Sequence, residues 1–268
     1  AAKTGAGKTA TAMSIGVSVA RGKPILNRAT MQGGVLFCAG ENPDDIRARF
    51  LVLCHNLGVD PASLPFYFID GVIDIEKSLP RIQAEAAKIP NLQLVIVDTA
   101  AAYFRGDDGN SNVQQGAFAR VLRQLTFLPT RPTVLVPCHP TKNASRDNLL
   151  PVGGGAFLNE VDGNLTLWAD GEGTATMHWQ GKFRGPEFEP MSWKLETKSA
   201  PMVRDSKGRE MPSVVASPVG EIEAEAAIAQ TESDENRVMY ALHAAPRSSP
   251  ATIAKRLGWL METGAPYK

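Results

Sequence analysis

The sequence predicts an α/β fold: a mostly parallel sheet with helices on both faces, an antiparallel extension, and a small helical segment at the C-terminal end. Three observations carry this. A glycine-rich stretch, Ala1 to Thr9 (AAKTGAGKT), opens directly into helix-forming residues. Apolar strand-like runs then alternate with helical patterns as far as Cys138. Beyond residue 155, short alternating runs joined by glycine turns read as antiparallel strands.

The elements follow in order. Thr9 to Ala20 is the first helix, stopped by Gly22 and Pro24. Val35 to Gly40 is a short apolar run, hence a buried strand, and it delivers Glu41 at its end. Asn42-Pro43-Asp44-Asp45 starts the next helix, with proline in the first turn and acids at the positive end. Phe66 to Ile69 reads as a strand and Ile75 to Ile89 as a helix. Leu92 to Val97 is the clearest buried strand and ends in Asp98. A helix is expected from about Val113 to Phe127, then a strand from Thr133 to Cys138 ending at His139. Thr141 to Gly155 is polar and glycine-rich and reads as a mobile loop. Asn164 to Ala169, Thr174 to Gln180 and Met191 to Glu196 supply the antiparallel strands.

Composition changes after Lys198. Residues 1–198 are expected to form the main domain and 199–220 a proline- and serine-bearing linker. Residues 221–268 are expected to form a partial helix-turn-helix. There Glu221 to Gln230, an amphipathic Asp234 to Ala244 and Ala251 to Leu257 are helical, and a recognition helix starts at Tyr267-Lys268.

The chain has 268 residues, with 28 basic and 28 acidic side chains. Global charge therefore gives no argument for nucleic acid, and any such surface must be local. Cys38, Cys54 and Cys138 are widely spaced, as buried free thiols in a reducing, cytoplasmic setting would be. No apolar run approaches the ~18 residues of a membrane span, and no membrane partner is expected.

The chemistry is concentrated at strand and helix ends. Residues 2–9 fit a phosphate-binding loop with Ala2 in place of its first glycine. Gly5 and Gly7 let the backbone bend round a phosphate without a Cβ in the way. The N–H groups of Lys3, Thr4, Gly5, Ala6, Gly7, Lys8, Thr9 and Ala10 are the expected ATP cradle, at the positive end of the helix. Lys8 can reach the β- and γ-phosphates, and the Thr9 hydroxyl can ligate Mg²⁺. In such a loop the glycines follow a buried strand, and Ala1 starts too late to supply one. That strand is expected to be missing at the N-terminus. Asp98 is the second candidate for holding Mg²⁺. Glu41 is the candidate general base for the attacking water, whose proton must go somewhere as the bond to phosphorus forms. His139 could hydrogen-bond a γ-phosphate and report its loss.

Phosphate loop, strand plus Glu41, strand plus Asp98, strand plus His139 and a glycine-bearing loop come in an order that resembles the RecA-like P-loop ATPases of the AAA domain family. Within these the chain is most similar to the RepA-type hexameric replicative helicases of small plasmids. The resemblance covers residues 1–198 and rests on Leu36 to Pro43, Val97-Asp98-Thr99 and Cys138 to Lys142. Gly181-Lys182-Phe183-Arg184-Gly185-Pro186 is similar to a K-x-R segment of the DnaB-type helicases. That similarity implies that Lys182 and Arg184 reach the γ-phosphate of a neighbouring subunit in a ring.

The resemblance implies an ATPase coupled to DNA. One reading is a homo-oligomeric, hexameric ring that translocates on single-stranded DNA, with strand-exchange recombinases as a variant. The other is a non-motor regulator or replication initiator whose C-terminal segment contacts duplex DNA. Arg247, Lys255, Arg256 and Lys268 against Glu262 give that segment a modest basic bias.

Overall fold

The computed structural model describes residues 1–26, 28–219, 238–239, 241–242 and 249–259. Two compact units are present, Ala1–Val219 and Gly220–Lys268.

In the first unit, α1 (Lys8–Arg21) precedes β1 (Gly34–Ala39), α2 (Pro43–Asn56), β2 (Phe66–Asp70), α3 (Ile75–Ala86) and β3 (Leu92–Asp98). Then come α4 (Ala100–Tyr103), α5 (Asn112–Gln124), β4 (Thr133–Leu135) and α6 (Gly154–Glu160). Four strands follow: β5 (Gly163–Ala169), β6 (Thr174–Phe183), β7 (Met191–Lys198) and β8 (Ser213–Pro218).

Strands β2-β1-β3-β4 form a four-stranded parallel sheet. Its central strands are buried along their length, as the continuous apolar runs VLFCA and LVIV require of a sheet covered on both faces. One layer packs α1, α2 and Phe50, Phe66 and Leu94 into a core, and the other packs α3, α5 and Tyr103. Strands β5-β6-β7-β8 form a separate antiparallel sheet rather than a simple extension of the first. Ala1 and Ala2 stitch the two together. The Ala2 N–H donates to the Cys138 carbonyl (3.1 Å) and the Leu167 N–H to the Ala1 carbonyl (3.0 Å).

Helix boundaries have local causes. Asn42 caps α2 by accepting from the Asp45 N–H, with Pro43 at the first position. Asp74 and Ser111 cap α3 and α5 in the same way. Gly22, in the left-handed region at φ 65°, closes α1.

Three expectations are corrected. Residues 199–220 are not a linker along their length: Ser213–Pro218 pairs with β7 as β8, and the compact unit runs to Val219. Val203 and Val215 lie in the core against α1 and α2, so burial rather than local composition decides this segment. β4 is only three residues long, and the stretch to Cys138 leaves the ladder at Val136-Pro137. Proline there cannot donate to a ladder.

The third correction concerns residues 141–155. The base of that loop is closed by Val152 N–H to His139 O (3.0 Å) and Thr141 N–H to Leu150 O (2.9 Å). Gln180 on β6 fastens its body, accepting from the Leu149 N–H (2.7 Å) and donating to the Arg146 carbonyl (2.7 Å). Leu149 is buried. The polar composition concealed these anchors.

In the second unit, α7 (Pro250–Leu257) is capped by Ser249 and closed by Gly258 in the left-handed region. Lys255 and Arg256 occupy its last turn, where cations suit the helix dipole. Residues 238–239 and 241–242 are helical. Met239 is exposed while Ala241 is buried. The expected helix Glu221 to Gln230 and the start of a recognition helix at Tyr267 lie outside the described residues.

Candidate functional site

The glycine-rich loop turns between the end of the stitch at Ala2 and α1. Gly5 and Gly7 have φ of 79° and 83°, which is why glycine is needed at both. A Cβ on Gly5 would stand in open space, whereas one on Gly7 would lie 2.8 Å from the Leu195 side chain. The loop is therefore seated on β7. Ala6 and Ala10 turn their methyls into the same core with Leu167 and Trp193, so only their backbone is available to a ligand. Lys3 sits with its ammonium 5.3 Å from the Trp168 ring centroid, and Thr4 is exposed.

Lys8 folds back over the loop and donates to the carbonyls of Ala2 (3.0 Å) and Lys3 (2.9 Å). Burial lowers its pKa, opposed by the nearby charges of Asp98 and Glu41. The Thr9 side chain lies beside Asp98 and draws its pKa down.

Asp98 is 4% exposed, and burial raises its pKa to about 6, against the pull of Thr9 and Lys8. Among the described residues its Oδ1 has no hydrogen-bond partner. A buried, unpaired carboxylate oxygen beside a threonine hydroxyl is a hard-oxygen donor set. It suits Mg²⁺, which takes one or two carboxylates and completes its octahedron with phosphate and water. Among the described residues, no group of three or more His, Cys, Asp and Glu could hold a metal, so an ion here would depend on such outside oxygens.

Strand register brings the acids together. Ala39 of β1 is paired with Asp98 of β3, and the Gly40 N–H donates to the Asp98 carbonyl (2.9 Å). Glu41 therefore emerges beside Asp98. It is exposed, and its Oε1 accepts from the Thr99 hydroxyl at 2.8 Å. The Asp98–Thr99 peptide is cis. His139 follows the strand next to β3. Burial and Lys8 lower its pKa while Glu41 raises it, so it shares the same electrostatic neighbourhood.

Five predicted residues, Lys8, Thr9, Glu41, Asp98 and His139, thus converge at the carboxyl ends of the parallel strands, where open α/β sheets take their ligands. Lys182 and Arg184 make their contacts elsewhere. Lys182 donates to the carbonyls of Leu158 (3.0 Å) and Asn159 (2.8 Å) in α6. Arg184 pairs with Asp162 at 2.9 Å, both side chains largely exposed. Thr99 and Gly40 stand in segments that carry the family resemblance, but no individual role for either was legible in the sequence. The signal for Thr99 was its position directly after the strand-end acid.

A family model described as an AAA domain matches residues 1–145. This chain belongs to that family. The AAA domain is a nucleotide-binding ATPase domain, and its matched span contains the loop, Glu41, Asp98 and His139. Compared with curated proteins, the chain finds no match. Among the described residues, no helix is long and apolar enough to cross a membrane.

Proposed function

We propose that the chain is the ATPase core of a RecA-like ring motor of the RepA type, cytoplasmic and hexameric, which couples ATP hydrolysis to movement on single-stranded DNA. The observation that carries this reading is the convergence of Lys8, Thr9, Asp98 and Glu41 at one loop, with Lys182 and Arg184 contacting other parts of the fold.

The loop N–H groups and the N-terminal end of α1 bind the phosphates, and Lys8 exchanges its loop carbonyls for phosphate oxygens. Thr9 and Asp98 would hold Mg²⁺, which when bound would neutralise phosphate charge. Glu41 orients a water and accepts its proton. His139 senses the γ-phosphate and passes its loss to the loop closed at Val152. The Arg184 guanidinium rests in an exposed ion pair of small worth with Asp162, from which a neighbouring subunit can recruit it together with Lys182.

The reading is tested with the full chain by ATPase assays with no DNA, single-stranded DNA and duplex DNA, and by unwinding of a forked duplex, with Lys8→Ala as control. Stimulation several-fold by single strands, together with unwinding, is the expected result. Stimulation by duplex alone, without unwinding, would replace the motor with a DNA-binding regulator. In that case the basic end of α7, Lys255 and Arg256, is the first surface to alter.

A further inference from the structure

We infer that Thr99 is the positioning residue for the general base: its hydroxyl holds the Glu41 carboxylate in the one orientation from which the second oxygen can take the proton of the attacking water. The inference rests on the ATPase reading and adds a residue to it.

Four observations carry it. The Thr99 Oγ1 to Glu41 Oε1 distance is 2.8 Å, a hydrogen bond in which the neutral hydroxyl donates to the carboxylate. Thr99 is 4% exposed, whereas Glu41 is exposed; a buried, β-branched donor with a stiff χ1 therefore restrains a long, solvent-facing side chain. Thr99 also stands at the N-cap position of α4, where threonine ordinarily turns its hydroxyl onto a backbone N–H. Here it makes no side-chain cap and spends the hydroxyl on Glu41 instead.

The fourth observation is the fixed separation of the two residues. The Gly40 N–H binds the Asp98 carbonyl, and the Ala100 N–H binds the Pro137 carbonyl (2.9 Å). The ends of β1 and β3 and the strand leading to His139 are thereby tied into one frame. A hydroxyl on one oxygen of Glu41 leaves the other open. Water activation needs that oxygen within hydrogen-bond reach of the water, in line with the phosphorus.

The test compares Thr99→Val, which keeps the shape and removes the donor, with Thr99→Ser, which keeps the donor. Steady-state ATPase activity, ATP affinity and thermal stability are measured on the full chain. Thr99→Val is expected to lower kcat about 10-fold with KM and ATP affinity within about twofold of the parent. Thr99→Ser is expected to restore most of kcat. In a Glu41→Gln background, Thr99→Val should cost almost nothing further, since the group it positions can no longer act. Equal fractional losses in the two backgrounds would reduce Thr99 to a structural residue and overturn the inference. So would a parental rate in Thr99→Val. Absence of Lys8-dependent hydrolysis in the parent protein would overturn the ATPase reading, and this inference with it.

Discussion

Thr9 lies beside Asp98 and its side chain draws the carboxyl pKa down, yet among the described residues the buried Oδ1 of that carboxylate has no partner. A charge in that position is unfavourable in the nucleotide-free protein. Burial raises the Asp98 pKa from 3.8 to about 6. The folded state therefore holds this proton more tightly than the unfolded chain. The stabilising effect of the neutral acid is complete below about pH 4 and is lost as pH rises through about 6. By linkage the loss is on the order of 3 kcal/mol. Asp98→Asn, which cannot ionise, should melt higher than the parent at pH 7 to 8 without nucleotide and no higher at pH 4. With Mg²⁺ and ATP the order should reverse, because only the carboxylate gains a ligand. Thermal melts at three pH values, with and without Mg²⁺ and nucleotide, check both halves. Equal melting at every pH would remove the buried charge from the account.

Glu41→Gln isolates proton transfer. The amide can still accept from Thr99 and keeps the shape, but it is a very weak base. ATP affinity should stay near the parent value and turnover should fall ~10²-fold or more. Nucleotide binding by fluorescence and single-turnover hydrolysis give the two numbers. A collapse of affinity with high residual turnover would assign Glu41 to structure and send the search for the base elsewhere.

Gly40→Ala probes the frame rather than a functional group. A Cβ there would lie 2.6 Å from the Tyr103 ring, 2.9 Å from the Ala102 methyl and 3.2 Å from the Asp98 carbonyl. Since Tyr103 is fully packed, α4 must shift and carry Thr99 with it. The expected cost is about 1–3 kcal/mol of stability, as for other overpacked cores, with a larger loss of kcat than of ATP affinity. Urea midpoints alongside kcat and KM test this. An unchanged kcat at reduced stability would separate Gly40 from the site.

The parts legible in the sequence are those that one residue type at one place makes obligatory. Gly5 and Gly7 are needed because φ is positive at both, and Lys8-Thr9 follow at the start of a helix. Glu41 and Asp98 were legible because each ends an uninterrupted apolar run, which a doubly covered parallel strand demands. The Thr99–Glu41 bond was not, because it depends on the register Ala39↔Asp98 between strands 58 residues apart in the bond they enable. β8 was hidden for a similar reason. Ser213 to Pro218 has only three apolar residues in a row and becomes a strand by pairing with β7 and packing on α1 and α2. The loop from 141 to 155 looked unanchored because its anchor, Gln180, lies on β6.

The neighbour's role of Arg184 is tested by mixing two defective proteins. Lys8→Ala spoils its own phosphate loop but keeps Arg184; Arg184→Ala keeps the loop and lacks the guanidinium. Within one chain Arg184 pairs with Asp162, whose side chain is as exposed as its own, so the pair is too weak to keep Arg184 from a better partner. If each site is completed across a subunit boundary, either variant alone should be nearly inactive. Mixed rings contain some interfaces with an intact loop facing an intact Arg184, and ATPase activity should partly return, rising with subunit exchange. Asp162→Asn should leave this recovery in place, since it removes only resting ion pairs, with Arg184 and with Arg123. No recovery, with exchange demonstrated by labelled subunits, would take Arg184 out of the site. Recovery without stimulation by single-stranded DNA would keep the shared site and favour the regulator over the motor, because a site built from two chains needs an oligomer but does not by itself require movement on DNA.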